Sequence, residues 1–325
     1  MSAPSVASRT TAFTPLPPSC VLFVPQDPSL IVVGTYHLDE DTSAKSGSLL
    51  LYRKHDLSLV ASHETHAILD IKFSPHSPSQ LAVAQSHGTL SLFSVTLPAN
   101  VSCDSTHVLF DSSLLILSIA FSPRDPQHLA FTLSNGEAGI FSLESSTVVY
   151  RYKPHSLEAW TCEFSSGDGP AKLYTGGDDS AICAWDVEAG VQLWRESKTH
   201  QAGVTAILSR EGESGTILTG SYDEWLRVFD SRTRRVDSEI RLGGGVWRLQ
   251  MREGDSVLAS CMHAGARIVS AKGGGSPLSV VAKFEEHESM NYGSHIHNLD
   301  PDTVVSCSFY DKRLCTWSVY GAPTA

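Results

Sequence analysis

A short phrase recurs in this chain, each time at the end of an apolar run. It reads Tyr174-Thr175-Gly176-Gly177-Asp178-Asp179 and is followed by Trp185-Asp186. It returns as Leu218-Thr219-Gly220-Ser221-Tyr222-Asp223, followed by Val228-Phe229-Asp230. A third copy reads Val305-Ser306-Cys307-Ser308-Phe309-Tyr310-Asp311, followed by Cys315-Thr316-Trp317. Asp179 and Asp223 stand 44 residues apart. A single unit of that length cannot bury its own apolar face, so neighbours must stack. A strand, a tight Asp turn and a strand closing on Trp-Asp, at this period, mark the blade of a β-propeller.

Short β-rich runs bounded by Gly, Pro, Asp and Ser extend the pattern to seven units. They cover approximately 19–62, 66–111, 115–152, 155–195, 200–241, 243–285 and 289–320. Blade 2 opens on Ile68-Leu69-Asp70-Ile71-Lys72-Phe73-Ser74-Pro75, and blade 3 on Leu117-Ser118-Ile119-Ala120-Phe121-Ser122-Pro123. The turns fall near His37, His87, Asn135, Asp179, Asp223, His263 and Asp311. The seventh unit stops one strand short. Residues 9–13, inside the N-terminal segment 1–18, are expected to supply that strand and so remove an open sheet edge. The expected fold is all-β: one seven-bladed WD40-type β-propeller over 1–325, its ring closed by an N-terminal strand. Segments 39–47 and 273–276 read as exposed, flexible connections.

The formal net charge is -11, which argues against a binder of phosphate backbones. No apolar run approaches the ~20 residues that span a bilayer, and residues 1–18 hold no apolar core of a secretory leader. The cysteines Cys20, Cys103, Cys162, Cys183, Cys261, Cys307 and Cys315 are odd in number and form no Cys-x-x-Cys pair. They are expected to be reduced, packed as small hydrophobes in a cytoplasmic protein. No Gly-x-Ser-x-Gly elbow or His-Glu-x-x-His helix motif occurs, and His63-Glu64-Thr65-His66 has the wrong spacing. His295 and His297 would share a strand face that could hold a metal; a plain surface pair is preferred. Gly243-Gly244-Gly245 precedes a strand, whereas phosphate cradles precede helices. Neither metal nor cofactor is expected. Motifs alone would leave a non-catalytic interaction propeller.

Different blades can place different residues around one point only at the channel mouth. In such repeats the turn Asp bonds back into its own blade, which frees the preceding side chain to face outward. Those preceding residues are Tyr36, Ser86, Ser134, Asp178, Tyr222, Met262 and Tyr310. The blade entrances add Glu158, Trp160, Trp247 and Tyr292. An aromatic mouth with carboxylates suits a quaternary ammonium group, because ring faces and negative charge both attract a cation. Trp and Tyr at these positions can also serve only to wedge blades. His263 stands where Asp fills the turn elsewhere, and an imidazole titrating near pH 6.5 suits a general base. His37 and His87 are expected to bond within their own turns.

Six strings occur in order: His155-Ser156-Leu157-Glu158-Ala159-Trp160, Gly176-Gly177-Asp178-Asp179, Gly220-Ser221-Tyr222-Asp223-Glu224, Gly243-Gly244-Gly245-Val246-Trp247-Arg248, Cys261-Met262-His263-Ala264-Gly265 and Cys307-Ser308-Phe309-Tyr310-Asp311. Together they closely resemble the WD-repeat diphthine methylesterase (diphthine methyltransferase) family of the diphthamide pathway. The resemblance is specific mainly over blades 4 to 7; blades 2 and 3 match only as generic repeats. It implies hydrolysis of the methyl ester of methylated diphthine on elongation factor 2, and that side chain bears a trimethylammonium group. Trp160, Trp247, Tyr222, Tyr292 and Tyr310, with Tyr36 on the same ring, would hold the cation. His263 would act on water, or on a hydroxyl such as Ser308, with Asp178 or Glu158 orienting it. Elongation factor 2 is the implied partner of a cytoplasmic monomer, without nucleic acid or membrane. A scaffold that docks a protein without chemistry, and a reader of trimethyl-lysine, are the alternatives.

Overall fold

The computed structural model describes residues 3–167, 169–210, 215–271 and 277–321. These residues form strands and turns and no helix. Seven sheets follow one another in chain order, each antiparallel in its four-stranded core. Blade 4 shows the plan: strands a to d are Ala159–Phe164, Lys172–Gly177, Ile182–Asp186 and Val191–Glu196, paired in that order. The first strand of each blade lies innermost and packs on the first strands of its neighbours.

Strands b and c are covered by neighbouring blades on both faces. They therefore read as unbroken apolar runs, as in Leu30–Thr35, which is buried throughout. The outer strands see water on one side and alternate, as in Arg235–Arg241. The repeated glycine of the phrase has a packing cause. A Cβ on Gly176 would fall 2.7 Å from Val204 Cγ1, and one on Gly220 would fall 2.5 Å from Val246 Cγ1. Each valine opens the next blade, so the glycine sets how closely blades approach.

The aspartate of the phrase locks its turn. Asp179 accepts from His155 Nδ1 at 2.8 Å, Ser156 N–H at 3.0 Å and Arg195 Nη2 at 2.9 Å. Despite its burial, these partners hold its carboxyl far below the usual range. Asp223 accepts from Gln201 N–H at 3.0 Å and Trp225 N–H at 3.1 Å, and Asp311 from Glu288 N–H at 2.9 Å. The entering histidines complete each lock. His200 Nε2 lies 2.9 Å from Thr219 Oγ1, and His287 Nε2 lies 2.8 Å from Ser306 Oγ, which also accepts from Trp317 Nε1 at 3.1 Å.

The ring closes as expected. Strand Ser8–Phe13 pairs antiparallel with Arg313–Ser318, placing Phe13 opposite Arg313. One pairing was not foreseen: Ser5–Val6 runs parallel to the edge of blade 6 at Lys283 and Phe284. The N-terminus thus stitches blades 6 and 7 together. Blade 1 also departs from expectation. His37 is not a turn residue but part of a short strand, His37–Leu38, that extends the hairpin opposite Ser46 and Lys45. The exposed loop beyond it is organised by Asp39, whose carboxylate accepts the N–H groups of Asp41 and Thr42. Segment 273–276 lies outside the described residues.

Burial pushes His200 and His287 down to about 4. The unfolded chain takes up these protons near pH 6.5. The folded chain resists until about pH 4. Their contribution is therefore full above pH 6.5 and is lost as pH falls toward 4. At pH 5 each histidine should have given up about 2 kcal/mol. The thermal midpoint is expected to fall steeply between pH 7 and 5. The variant His200→Gln/His287→Gln should be less stable at pH 7 and show a much shallower slope, read by calorimetry across that range.

Candidate functional site

Because each turn Asp spends its oxygens inward, the residue before it faces the mouth. Asp178 N–H donates to Glu158 O at 2.8 Å, and Tyr222 N–H donates to Gly203 O at 2.9 Å. Two glycines make room beneath them. A Cβ on Gly203 would fall 2.6 Å from Asp178 Oδ1 and 3.0 Å from its Cα. One on Gly245 would fall 2.7 Å from Met262 Sδ and 3.3 Å from Tyr222 Cδ1.

The aromatic residues form one continuous arc. Trp160 stands edge-on to Tyr222, with ring centroids 6.1 Å apart, and to Trp247 at 5.5 Å. Tyr222 and Trp247 lie 5.9 Å apart, and Trp247 and Tyr292 lie 5.0 Å apart. Phe309 continues the arc at 5.4 Å from Tyr292, and touches Tyr36 at 6.2 Å and Tyr310 at 5.0 Å. Such pairs contribute ~0.5–1.5 kcal/mol each beyond burial, enough to fix the rings in place. The rings are half-buried except Tyr310, which is 69% exposed. The arc spans blades 4 to 7 and 1. Blades 2 and 3 place serines at the equivalent positions: Ser86 bonds His87 Nδ1 at 2.9 Å, and Ser134 Oγ accepts Leu115 N–H at 3.0 Å.

Two carboxylates stand within the arc. Trp160 Nε1–H donates to Asp178 Oδ1 at 3.0 Å, which fixes the indole against the acid. Tyr222 is pushed above its ordinary value by burial first, then by Tyr292, Asp178 and Glu158. Tyr292 is pushed up to about 12, chiefly by burial. These phenols are therefore neutral at physiological pH, and the mouth combines uncharged ring faces with negative charge.

Beneath the mouth, the innermost strands enclose a cavity of about 370 Å³ that Trp160, Trp247, Arg248 and Asp70 all line. Arg248 crosses it from blade 6 to blade 2. Its Nη1 donates to Asp70 Oδ1 at 2.7 Å, Nη2 to Leu69 O at 3.0 Å and Nε to Tyr292 O at 3.1 Å. Asp70 is buried and also accepts from Ile71 N–H, Ile119 N–H and Ser118 Oγ. Further along the cavity, burial raises Glu163 to about 7 and lowers His295 to about 3, with Lys72 also lowering His295.

Relatives of nearly full length decide the family. A diphthine methyltransferase of Schizosaccharomyces pombe is 36% identical, covering 98% of this chain and 99% of its own. One of Saccharomyces cerevisiae is 30% identical, covering 94% and 96%. The chain belongs to the diphthine methyltransferase family. A human member is 32% identical over 38% of this chain and 28% of its own. A chain from the crystal structure of the mitotic checkpoint complex superposes with a TM-score of 0.78 at 15% identity, over 97% of this chain and 92% of that one. That likeness shows the propeller fold alone. No protein-family model matches the chain.

Within this family member, the structure brings Trp160, Asp178, Glu158, Tyr222, Trp247 and Tyr292 together, with Tyr36 and Tyr310 reaching them through Phe309. Phe309 was missed in the sequence because it stands two residues before Asp311, one place away from the repeat position that faces the mouth. Asp70 and Arg248 were missed too, although Asp70 is a carboxylate in the innermost strand Ile68–Phe73 and Arg248 opens the innermost strand Arg248–Arg252. His263 is exposed on the blade 6 turn and hydrogen-bonds neither Asp178 nor Glu158. Ser308 is fully buried, paired across the sheet with Asn291, and its hydroxyl does not open on the mouth. His295 and His297 are not a surface pair. His295 lines the cavity and accepts Phe23 N–H at 3.3 Å, while His297 is buried beside Lys54. Six of the cysteines are buried, and burial raises thiols such as Cys20 to about 11 and Cys261 to about 12, which disfavours a thiolate nucleophile.

Tetramethylammonium is expected to bind at the arc and alter tryptophan emission from Trp160 and Trp247. Trp247→Leu should weaken that binding about tenfold, the worth of one desolvated ring face. Gly203→Ala should weaken it as well, by displacing Asp178 from Trp160. Fluorescence titration reads both.

Proposed function

We propose that the protein hydrolyses the methyl ester of methylated diphthine on elongation factor 2, giving diphthine. The observation that carries this is the cage of Trp160, Tyr222, Trp247 and Tyr292, with Asp178 hydrogen-bonded to Trp160. A trimethylammonium group cannot donate a hydrogen bond, so ring faces and carboxylates are the groups that can hold it. The relatives' name places methyl chemistry at diphthine. Carboxylates beside the cage favour the hydrolytic direction, since they can accept a proton from water.

In this mechanism the cage binds the cation, and Asp178, with Glu158 beside it, neutralises the charge. A water molecule next to Asp178 attacks the ester carbonyl and gives its proton to the carboxylate. The tetrahedral intermediate expels methoxide, which leaves as methanol after taking that proton. No cofactor enters the balance. Asp178 is preferred to His263 as the base because it lies inside the cage, whereas His263 stands on the rim with no orienting hydrogen bond among the described residues. The protein acts as a monomer in the cytoplasm, on its protein substrate.

The test is incubation of the purified chain with methylated elongation factor 2, followed by mass spectrometry of the modified histidine. Loss of one methylene mass, with release of methanol, is the expected result. Asp178→Asn should lower kcat about 100-fold or more, the usual worth of a general base. His263→Ala should lower it by less than about tenfold. Tight binding with no mass change would instead identify a docking propeller.

A further inference from the structure

The floor of the cage holds a cation of its own, and nothing in the cation-binding role explains it. A guanidinium has five N–H groups. Arg248 directs one from Nε, one from Nη1 and one from Nη2 to Tyr292 O, Asp70 and Leu69 O. Among the described residues, the second N–H of each Nη has no protein acceptor. The side chain is 22% exposed, and what exposes it is the cavity it shares with Trp160 and Trp247. Asp70, by contrast, is saturated: its two oxygens accept from Arg248, Ile71, Ile119 and Ser118. It fixes the guanidinium and has no capacity left for a ligand.

Diphthine carries its trimethylammonium nitrogen and its carboxyl carbon on the same carbon atom. A cation held against Trp247 therefore brings its ester within two bonds, beside the residue next in the chain. We propose that Arg248 reads the carboxyl end of an α-trimethylammonio acid. It donates to the carbonyl oxygen of the bound ester, to the oxyanion formed on water attack, and to the carboxylate of the product. Asp70 is the positioning residue that aims it. As the water oxygen bonds to the carbonyl carbon, the C=O electron pair moves onto the oxygen facing Arg248. It returns as methoxide departs. Planar, paired donors suit this role better than a lysine would. The inference rests on the hydrolytic function proposed above, and its substrate class is the betaine type: quaternary nitrogen and carboxyl on one carbon.

Calorimetric binding of two small probes tests it. The wild-type protein should bind glycine betaine at least about tenfold more tightly than tetramethylammonium, as a charge-assisted pair to the carboxylate would give. Removing Arg248 alone would strand a buried carboxylate. The informative variant is therefore Asp70→Asn/Arg248→Gln. It should keep tetramethylammonium affinity within about twofold of wild type and lose the preference for betaine. Its kcat on methylated elongation factor 2 should fall about 100-fold, with KM nearly unchanged. A folded double variant that retains the betaine preference overturns the assignment. Should that variant not fold, equal affinity of the wild type for the two probes overturns it alone. Failure of the wild type to release methanol sinks the hydrolytic function instead and leaves the binding preference to be judged separately.

Discussion

The turn aspartate, buried against a histidine from the entering chain, is the interaction on which the rest of the mouth depends. Asp179 spends its oxygens on His155, Ser156 and Arg195, inside its own blade. The turn is rigid because each of those bonds is accepted by an ionised carboxylate and is charge-assisted. Asp178 is thereby turned outward, and Tyr222 and Tyr310 follow the same rule before Asp223 and Asp311. Blade 6 has no aspartate to do this. Its turn is held by Cys261 N–H on Gly265 O and by a bridge from Met262 to Asn291. Met262 is drawn inward and buried, and His263 is left outside. The absence of one carboxylate thus explains both the packing of Met262 against the cage and the exposure of the histidine.

That dependence also explains what could be seen in the sequence. The glycine recurs in blades 4 and 5, and the aspartate in blades 4, 5 and 7, because those blades meet the same two constraints, a close neighbour and a tight turn. Repeated constraints leave a repeated pattern, so blade number and ring closure were legible, and so were the residues that face the mouth. Ser5–Val6 was not, since two residues carry no periodicity. The pairing of Asp70 with Arg248 was also invisible: they are 178 residues apart, and only the closed ring brings them together. Repeat phase says which rim a side chain occupies but not how far across the mouth it reaches. That is why His263 was matched with Asp178 in the sequence and is not matched in space.

The bridge across the channel is a poor candidate for a purely stabilising device. Ion pairs taken out of water gain little over apolar packing of the same volume, because desolvation offsets the Coulomb attraction. Removing one partner is another matter, at ~3–5 kcal/mol. Such a pair fixes geometry more than it adds stability. Here the geometry fixed is that of a guanidinium one residue after Trp247, with Nη donors remaining on the cavity side.

The charge order of the site follows: carboxylates stand beside the ring faces, and a guanidinium lies at the floor. A ring cage alone distinguishes poorly among quaternary ammonium compounds, since choline, trimethyl-lysine and diphthine present the same methyl surface. They differ in what lies two bonds from the nitrogen. Trimethyl-lysine has only methylene there and would leave the floor donors unpaired in a partly dehydrated cavity, an outcome that disfavours binding. An α-trimethylammonio ester fills both ends, and in one orientation only. The selectivity proposed here then comes from a guanidinium held one residue after Trp247 in blade 6, rather than from the chemistry of any single ring.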